Sequence, residues 1–142
     1  MESGRTVYIK NEAETEAFGL ELAATLAAGD VVALIGNLGT GKTALTRYIA
    51  EGLGISERIN SPTFTIVKEY TEGRLPLYHF DVYRVSDADE LFNIGIDDYF
   101  FGEGVCVVEW ADLILDILPD NTKYIYIEYG EGEGERIYKC IF

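Results

Sequence analysis

The chain has 142 residues, 48% of them hydrophobic, and a formal net charge of −14 from 25 acidic against 11 basic side chains. A chain of this length and composition is expected to form one domain that buries roughly two-thirds of its unfolded surface, and no apolar run approaches the roughly 20 residues of a membrane-spanning helix. The acidity opposes unaided binding to a polyphosphate backbone, so any nucleic-acid role has to be indirect, through partners.

The N-terminal Met1-Glu2-Ser3-Gly4-Arg5 leads directly into a strand-like Thr6-Val7-Tyr8-Ile9. It lacks a basic region followed by an apolar core, so no secretory signal is expected. Asn11 with Glu14 three residues on resembles a capping box, and the following helix is predicted to run to Ala28 with Gly29 as its stop. Val31-Val32-Ala33-Leu34-Ile35 is an unbroken apolar run, the pattern of a strand buried on both faces of a parallel sheet. Gly36-Asn37-Leu38-Gly39-Thr40-Gly41-Lys42-Thr43 follows at once and fills every fixed position of G-x-x-x-x-G-K-[ST]. Ala44, Leu45, Tyr48, Ile49 and Leu53 then recur at helical spacing, with Gly52 and Gly54 placed to end the helix.

Pro62 excludes regular structure from Ser61-Pro62-Thr63-Phe64. Residues 65–70 and 75–85 read as two strands joined by a turn at Glu72-Gly73, an antiparallel hairpin. A short capped helix through Phe92 ends at Gly95, Val105–Val108 is a second fully apolar strand closing on Glu109-Trp110, and a short helical stretch reaches Leu118 before Pro119. Residues 124–129 and 136–142 alternate around a Gly/Glu turn as a last hairpin. The predicted architecture is a small α/β nucleotide-binding domain with a mixed parallel and antiparallel sheet. Cys106 and Cys140 lie inside apolar runs and read as buried thiols, neither a disulfide nor a metal site, in a cytoplasmic protein.

Strand, glycine loop and helix start stand in the order that phosphate binding requires. Backbone N–H groups of the loop, from Asn37 through Leu38, Gly39, Thr40 and Gly41, turn inward on phosphate oxygens, and the helix N-terminus adds its partial positive charge. Lys42, in an exposed loop, is expected to reach the β- and γ-phosphates and the Thr43 hydroxyl to ligate Mg²⁺. A second acidic position is needed for the metal or the attacking water, and Glu109, at the end of an apolar strand, has that form with Glu in place of the usual Asp. In His79-Phe80-Asp81-Val82-Tyr83-Arg84, strand alternation puts His79, Asp81 and Tyr83 on one face, either to position water or as an ordinary half-exposed surface. Thr63 stands where a switch segment would add a hydroxyl to the metal only when a triphosphate is present.

These four segments, G-N-L-G-T-G-K-T, S-P-T-F, H-F-D-V-Y-R and V-V-E-W, in this order and within this length, resemble the TsaE (YjeE/YdiB) family, the bacterial ATPases needed for threonylcarbamoyladenosine (t6A) synthesis on tRNA. The resemblance covers nearly the whole chain. It implies a P-loop NTPase-like three-layer fold, ATP hydrolysis with Mg²⁺, and work alongside the subunits TsaB and TsaD, with tRNA engaged only indirectly. Carried over by position, it implies that Lys42 and Thr43 hold phosphate and metal and that Glu109 ligates or organises Mg²⁺. Residues 61–63 become the first switch, with Thr63 catalytic, and Asp81 becomes a catalytic or water-orienting carboxylate. Trp110 is a neighbour of the site, and Glu12 falls where the N-terminal segment approaches the nucleotide. The glutamates of the turn at residues 130–136 would repel a nucleotide, so a contact from that turn, Arg136 included, stays open.

Three other functions compete. A small phosphotransferase needs a lid or acceptor pocket with several arginines, but the chain has six in all and no Arg-rich segment after the helix at 86–95. A GTPase needs [NT]-K-x-D, and Asn121-Thr122-Lys123-Tyr124 lacks the aspartate. A module using nucleotide only as a clamp leaves Glu109 and Asp81 without work.

Overall fold

The apolar run at Val31–Ile35 is strand β2, buried along nearly its whole length, and it lies at the middle of the sheet. The computed structural model describes residues 4–37, 39–62 and 65–142. In chain order the other elements are β1 (Gly4–Ile9), α1 (Glu12–Thr25), α2 (Lys42–Gly52), β3 (Val67–Tyr70), β4 (Leu77–Asp81), α3 (Ala88–Asn93), α4 (Ile96–Phe100), β5 (Val105–Glu109), a 3₁₀ segment (Ala111–Ile117), β6 (Lys123–Tyr129) and β7 (Arg136–Ile141). The seven strands form one sheet in the order β1-β7-β6-β2-β5-β4-β3. β6, β2, β5 and β4 are mutually parallel, while β7, β1 and β3 run antiparallel to their neighbours.

Strand alternation divides the core in two. Val32, Leu34, Val105 and Val107 face one side, where Phe18 and Leu22 of α1 and Leu45 and Ile49 of α2 cover them. Val31, Ala33, Cys106 and Val108 face the other, under Leu91 of α3, Ile96 and Phe100 of α4 and Ile114 of the 3₁₀ segment. Helices on both faces of a mixed sheet make the expected three-layer α/β architecture. Both cysteines are free and buried, and burial pushes the Cys106 thiol up to about 12.

α1 and α2 touch through glycines. A Cβ on Gly19 would lie 2.6 Å from the Tyr48 Cβ, and one on Gly52 would lie 2.5 Å from the Ala23 Cβ. Gly52, expected only as a helix stop, therefore also permits close approach of two helices. Gly19→Val forces the pair apart and should cost about 1–3 kcal/mol, the usual penalty for overpacking. Chemical denaturation checks this, and an unchanged midpoint would contradict the close contact.

Three expectations need correction. α1 ends at Thr25, not Ala28, because Leu26 turns extended (ψ 143°) and the carbonyls of Ala23 and Leu26 accept from Arg74 Nη2 at 2.6 and 2.9 Å. Its cap is also a variant of the box: Asn11 Oδ1 accepts from the Glu14 N–H, but Glu14 Oε1 accepts from the N–H of Lys10, not of Asn11. α4 was not anticipated. Gly95, with φ 80°, ends α3 and also begins α4, so one glycine serves two helices.

Candidate functional site

The site lies where the carboxyl ends of β2, β5 and β4 meet the start of α2, the place where parallel α/β sheets leave a crevice for ligands. Leu34 pairs with Glu109 and Asp81 pairs with Glu109, so the two carboxylates close neighbouring strands in the same row. From Gly36 the chain turns back to α2 through a loop that demands glycine for two distinct reasons. A Cβ on Gly36 would lie 2.7 Å from the carbonyl oxygen of Ile127 and 2.8 Å from Thr40 Oγ1. Gly41, the residue before α2, is left-handed with φ 94°. Thr40 closes the turn by donating through N–H and Oγ1 to Asn37 O at 3.2 and 2.7 Å. Leu38 lies outside the described residues.

Lys42 is not in an exposed loop, as expected, but is the first residue of α2 and is buried, with 5% exposure. Its Nζ donates to Gly36 O at 2.6 Å and Asn37 O at 3.0 Å and lies 4.1 Å from the centre of the Trp110 ring. The side chain is thus folded back across its own loop. Burial lowers its pKa, opposed by the negative charges of Glu109, Asp112 and Asp81. The lysine is held among acids that favour its charged form.

Thr43, one residue on, donates Oγ1 to Glu109 Oε1 at 3.0 Å and Oε2 at 3.1 Å, joining the helix start to the end of β5. Glu109 is buried, and its Oε2 also contacts His79 Nε2 at 2.5 Å. Asp81 is buried as well; Oδ2 accepts from Ser61 Oγ at 2.7 Å and Oδ1 from the Tyr83 N–H at 3.0 Å. Lys42, Thr43, Asp81, Glu109 and Trp110, together with Gly39 and Gly41, line one cavity of about 510 Å³, shared with Ser61, Tyr83 and Arg84. The half-exposed reading of the 79–83 face is corrected: His79 and Asp81 are buried, and only Tyr83, beyond the end of β4, is exposed. Phe80 and Val82 point the other way into the core, as expected.

Glu12 does not line that cavity. It borders a separate, smaller depression, beside Thr40 and Gly41, and accepts from the Tyr48 hydroxyl at 2.8 Å, which pushes that phenol up to about 12. Among the described residues, Asn37 contributes its backbone carbonyl to the loop contacts. Thr63 lies outside the described residues. Trp110 is left-handed, with φ 63°, a conformation that costs a bulky residue energy, and its ring packs against Tyr83 with centroids 4.7 Å apart.

Three contacts escaped the sequence. His79 on β4 reaches Glu109 on the neighbouring β5, and only the strand register would have revealed it. Ser61 binds Asp81, although the two are 20 positions apart. Arg136, left open above, crosses from β7 to the loop, where its Nε donates to Thr40 O at 3.0 Å and its guanidinium lies 4.9 Å from the Tyr129 ring centre. Its basic character beside the glutamate turn was the one available signal.

The donor set is oxygen-rich and hard: one threonine hydroxyl and one glutamate carboxylate, with a second carboxylate alongside. Among the described residues, no group of three or more His, Cys, Asp and Glu side chains could hold a metal ion by itself. A hydroxyl and a single carboxylate suit a cation that keeps much of its shell as water or phosphate oxygen, as Mg²⁺ does.

Comparison with known proteins is consistent throughout. The family model for threonylcarbamoyl adenosine biosynthesis protein TsaE matches residues 9–138. The tRNA threonylcarbamoyladenosine biosynthesis protein TsaE of Bacillus subtilis is 52% identical over 126 residues, covering 89% of this chain and 78% of that protein. The protein of the same description from Nostoc sp. is 38% identical over 134 residues, covering 92% and 81%. The crystal structure of Bacillus subtilis YdiB superposes with a TM-score of 0.85 at 43% identity, over 99% of this chain and 86% of that one. On these matches, and on a three-layer fold with its glycine loop at the sheet's carboxyl edge, the chain belongs to the TsaE family.

Proposed function

We propose that this chain binds and hydrolyses ATP with Mg²⁺ in the cytoplasm, and that its turnover serves t6A formation on tRNA together with TsaB and TsaD. The observation that carries the ATP reading is the bond from Thr43 at the start of α2 to the buried Glu109 at the end of β5, beside a loop whose glycines open its backbone to phosphate. When bound, Mg²⁺ would offset the negative charge of the phosphates. Thr43 and Glu109 are the residues that would hold it. Lys42 would exchange the carbonyls of Gly36 and Asn37 for phosphate oxygens, keeping its charge-assisted bonds throughout. Asp81, fixed by Ser61 and by the backbone of Tyr83, would orient the attacking water. Thr63 would join the site as part of a switch, through its hydroxyl. Trp110 and Tyr83 form an aromatic wall that limits water around Lys42.

The partner reading rests on family membership and on charge. With a net charge of −14, the chain has few cations to neutralise phosphates, so tRNA has to be held by other subunits. Alone it should bind tRNA only weakly at physiological salt, and its ATP turnover should change on adding TsaB and TsaD. Filter binding and phosphate release measured with and without those subunits check both points. Tight, salt-sensitive tRNA binding by this chain alone, or turnover indifferent to the subunits, would overturn the partner reading.

A further inference from the structure

We propose that His79 is a positioning residue for Glu109, fixing which carboxylate oxygen the site presents to a divalent cation; this rests on the proposed Mg²⁺ and ATP function. His79 is wholly buried on β4, where Lys68 of β3 and Val107 of β5 are its strand neighbours. Its one polar contact among the described residues is from Nε2 to Glu109 Oε2, at 2.5 Å, while its Nδ1 is buried without a partner. An imidazole nitrogen facing a carboxylate carries the proton, so the contact sets the ring as an Nε2–H donor. Burying a polar atom without a partner costs about 1–3 kcal/mol, so an apolar side chain would serve the core better at this place. The cost is explained by what the other nitrogen does.

Thr43 alone does not orient the carboxylate, because its hydroxyl sits almost equally far from both oxygens, 3.0 and 3.1 Å. His79 breaks that symmetry. It occupies Oε2, leaving Oε1 with Thr43 as its one partner among the described residues. Oε1 is therefore the oxygen free to share a cation with the threonine hydroxyl. Hydrogen bonds that orient a ligating carboxylate from behind commonly change metal affinity or activity by about 10–100-fold.

His79 is the only histidine in the chain, so the imidazole signals in a ¹⁵N NMR spectrum of the ligand-free protein report it alone. The spectrum should show the proton on Nε2, and its shifts should move in Glu109→Leu. In parallel, His79→Phe should raise the Mg²⁺ concentration for half-maximal ATP turnover about tenfold, while His79→Gln, which keeps a donor near Nε2, stays within about threefold. KM for ATP at saturating Mg²⁺ should change less than twofold in either variant. A proton on Nδ1 with bare Nε2, or a spectrum blind to Glu109→Leu, would overturn the assignment. So would a wild-type Mg²⁺ requirement in His79→Phe, or equal losses in the two variants tracking their unfolding midpoints. If the unmodified protein neither binds nor hydrolyses ATP, the proposed function fails instead, and the spectrum still decides the His79–Glu109 contact.

Discussion

Lys42→Ala should weaken ATP binding at least tenfold and lower turnover by about 10²–10³-fold, the range for removing one preorganised charged donor from a developing negative charge. Lys42 is buried, lies against Trp110, and is held by Gly36 O and Asn37 O at the mouth of the cavity. Its charged group therefore already lies at the loop before any ligand arrives. The variant is not structurally silent, because both carbonyls lose a donor and the Trp110 ring loses a packing partner. Calorimetry for affinity and phosphate release for turnover check the effect, with the unfolding midpoint measured beside them. Wild-type turnover in a folded Lys42→Ala protein would end the phosphate-loop reading.

Glu109→Ala should behave differently. ATP affinity should change by less than about threefold, whereas kcat should fall about 10²–10³-fold. Phosphate contacts are expected from the loop backbone and from Lys42. Glu109 instead joins Thr43 to His79 and reaches the site through its carboxylate. The alanine variant leaves the Thr43 hydroxyl and His79 Nε2 without their acceptor, so Glu109→Gln, which keeps a carbonyl oxygen there, separates loss of charge from loss of contacts. The two variants should show similar kcat and different stabilities. A loss confined to KM, with kcat preserved, would remove Glu109 from the catalytic machinery.

The parts of the fold that rest on local pattern were legible from sequence. β2 and β5 announce themselves as continuous apolar runs, and the glycine loop marks the junction of β2 with α2. The two hairpins follow from alternation and turn residues, although β3 and β4 are shorter than the alternation suggested. Errors arose where distant groups decide the outcome. α1 stops early because Arg74, 49 positions beyond Thr25, takes the last carbonyls, and no local signal reports that. α4 was overlooked because Gly95 reads equally as a stop and as a start. Lys42 looked exposed because loops usually are, yet Trp110, brought over from the end of β5, covers it. Lys42, Thr43 and Glu109, which line one cavity, were singled out from spacing and strand position. Their partners were not, because His79, Ser61 and Arg136 reach them through strand register and loop packing. Glu12 was assigned to the nucleotide by resemblance, and it lines a separate depression beside the loop rather than the main cavity.

One glycine loop, with Lys42 folded across it and Thr43 tied to Glu109, is expected to form a single Mg²⁺-dependent ATP site. Titration calorimetry of ATP into the purified chain, with Mg²⁺ and then with chelator, tests it most directly. The expected result is one ATP bound per chain with Mg²⁺, weakened when the metal is withdrawn and lost to at least a tenfold degree in Lys42→Ala. A folded protein that binds no ATP at millimolar concentration, or binds it equally well as Lys42→Ala, would contradict the account.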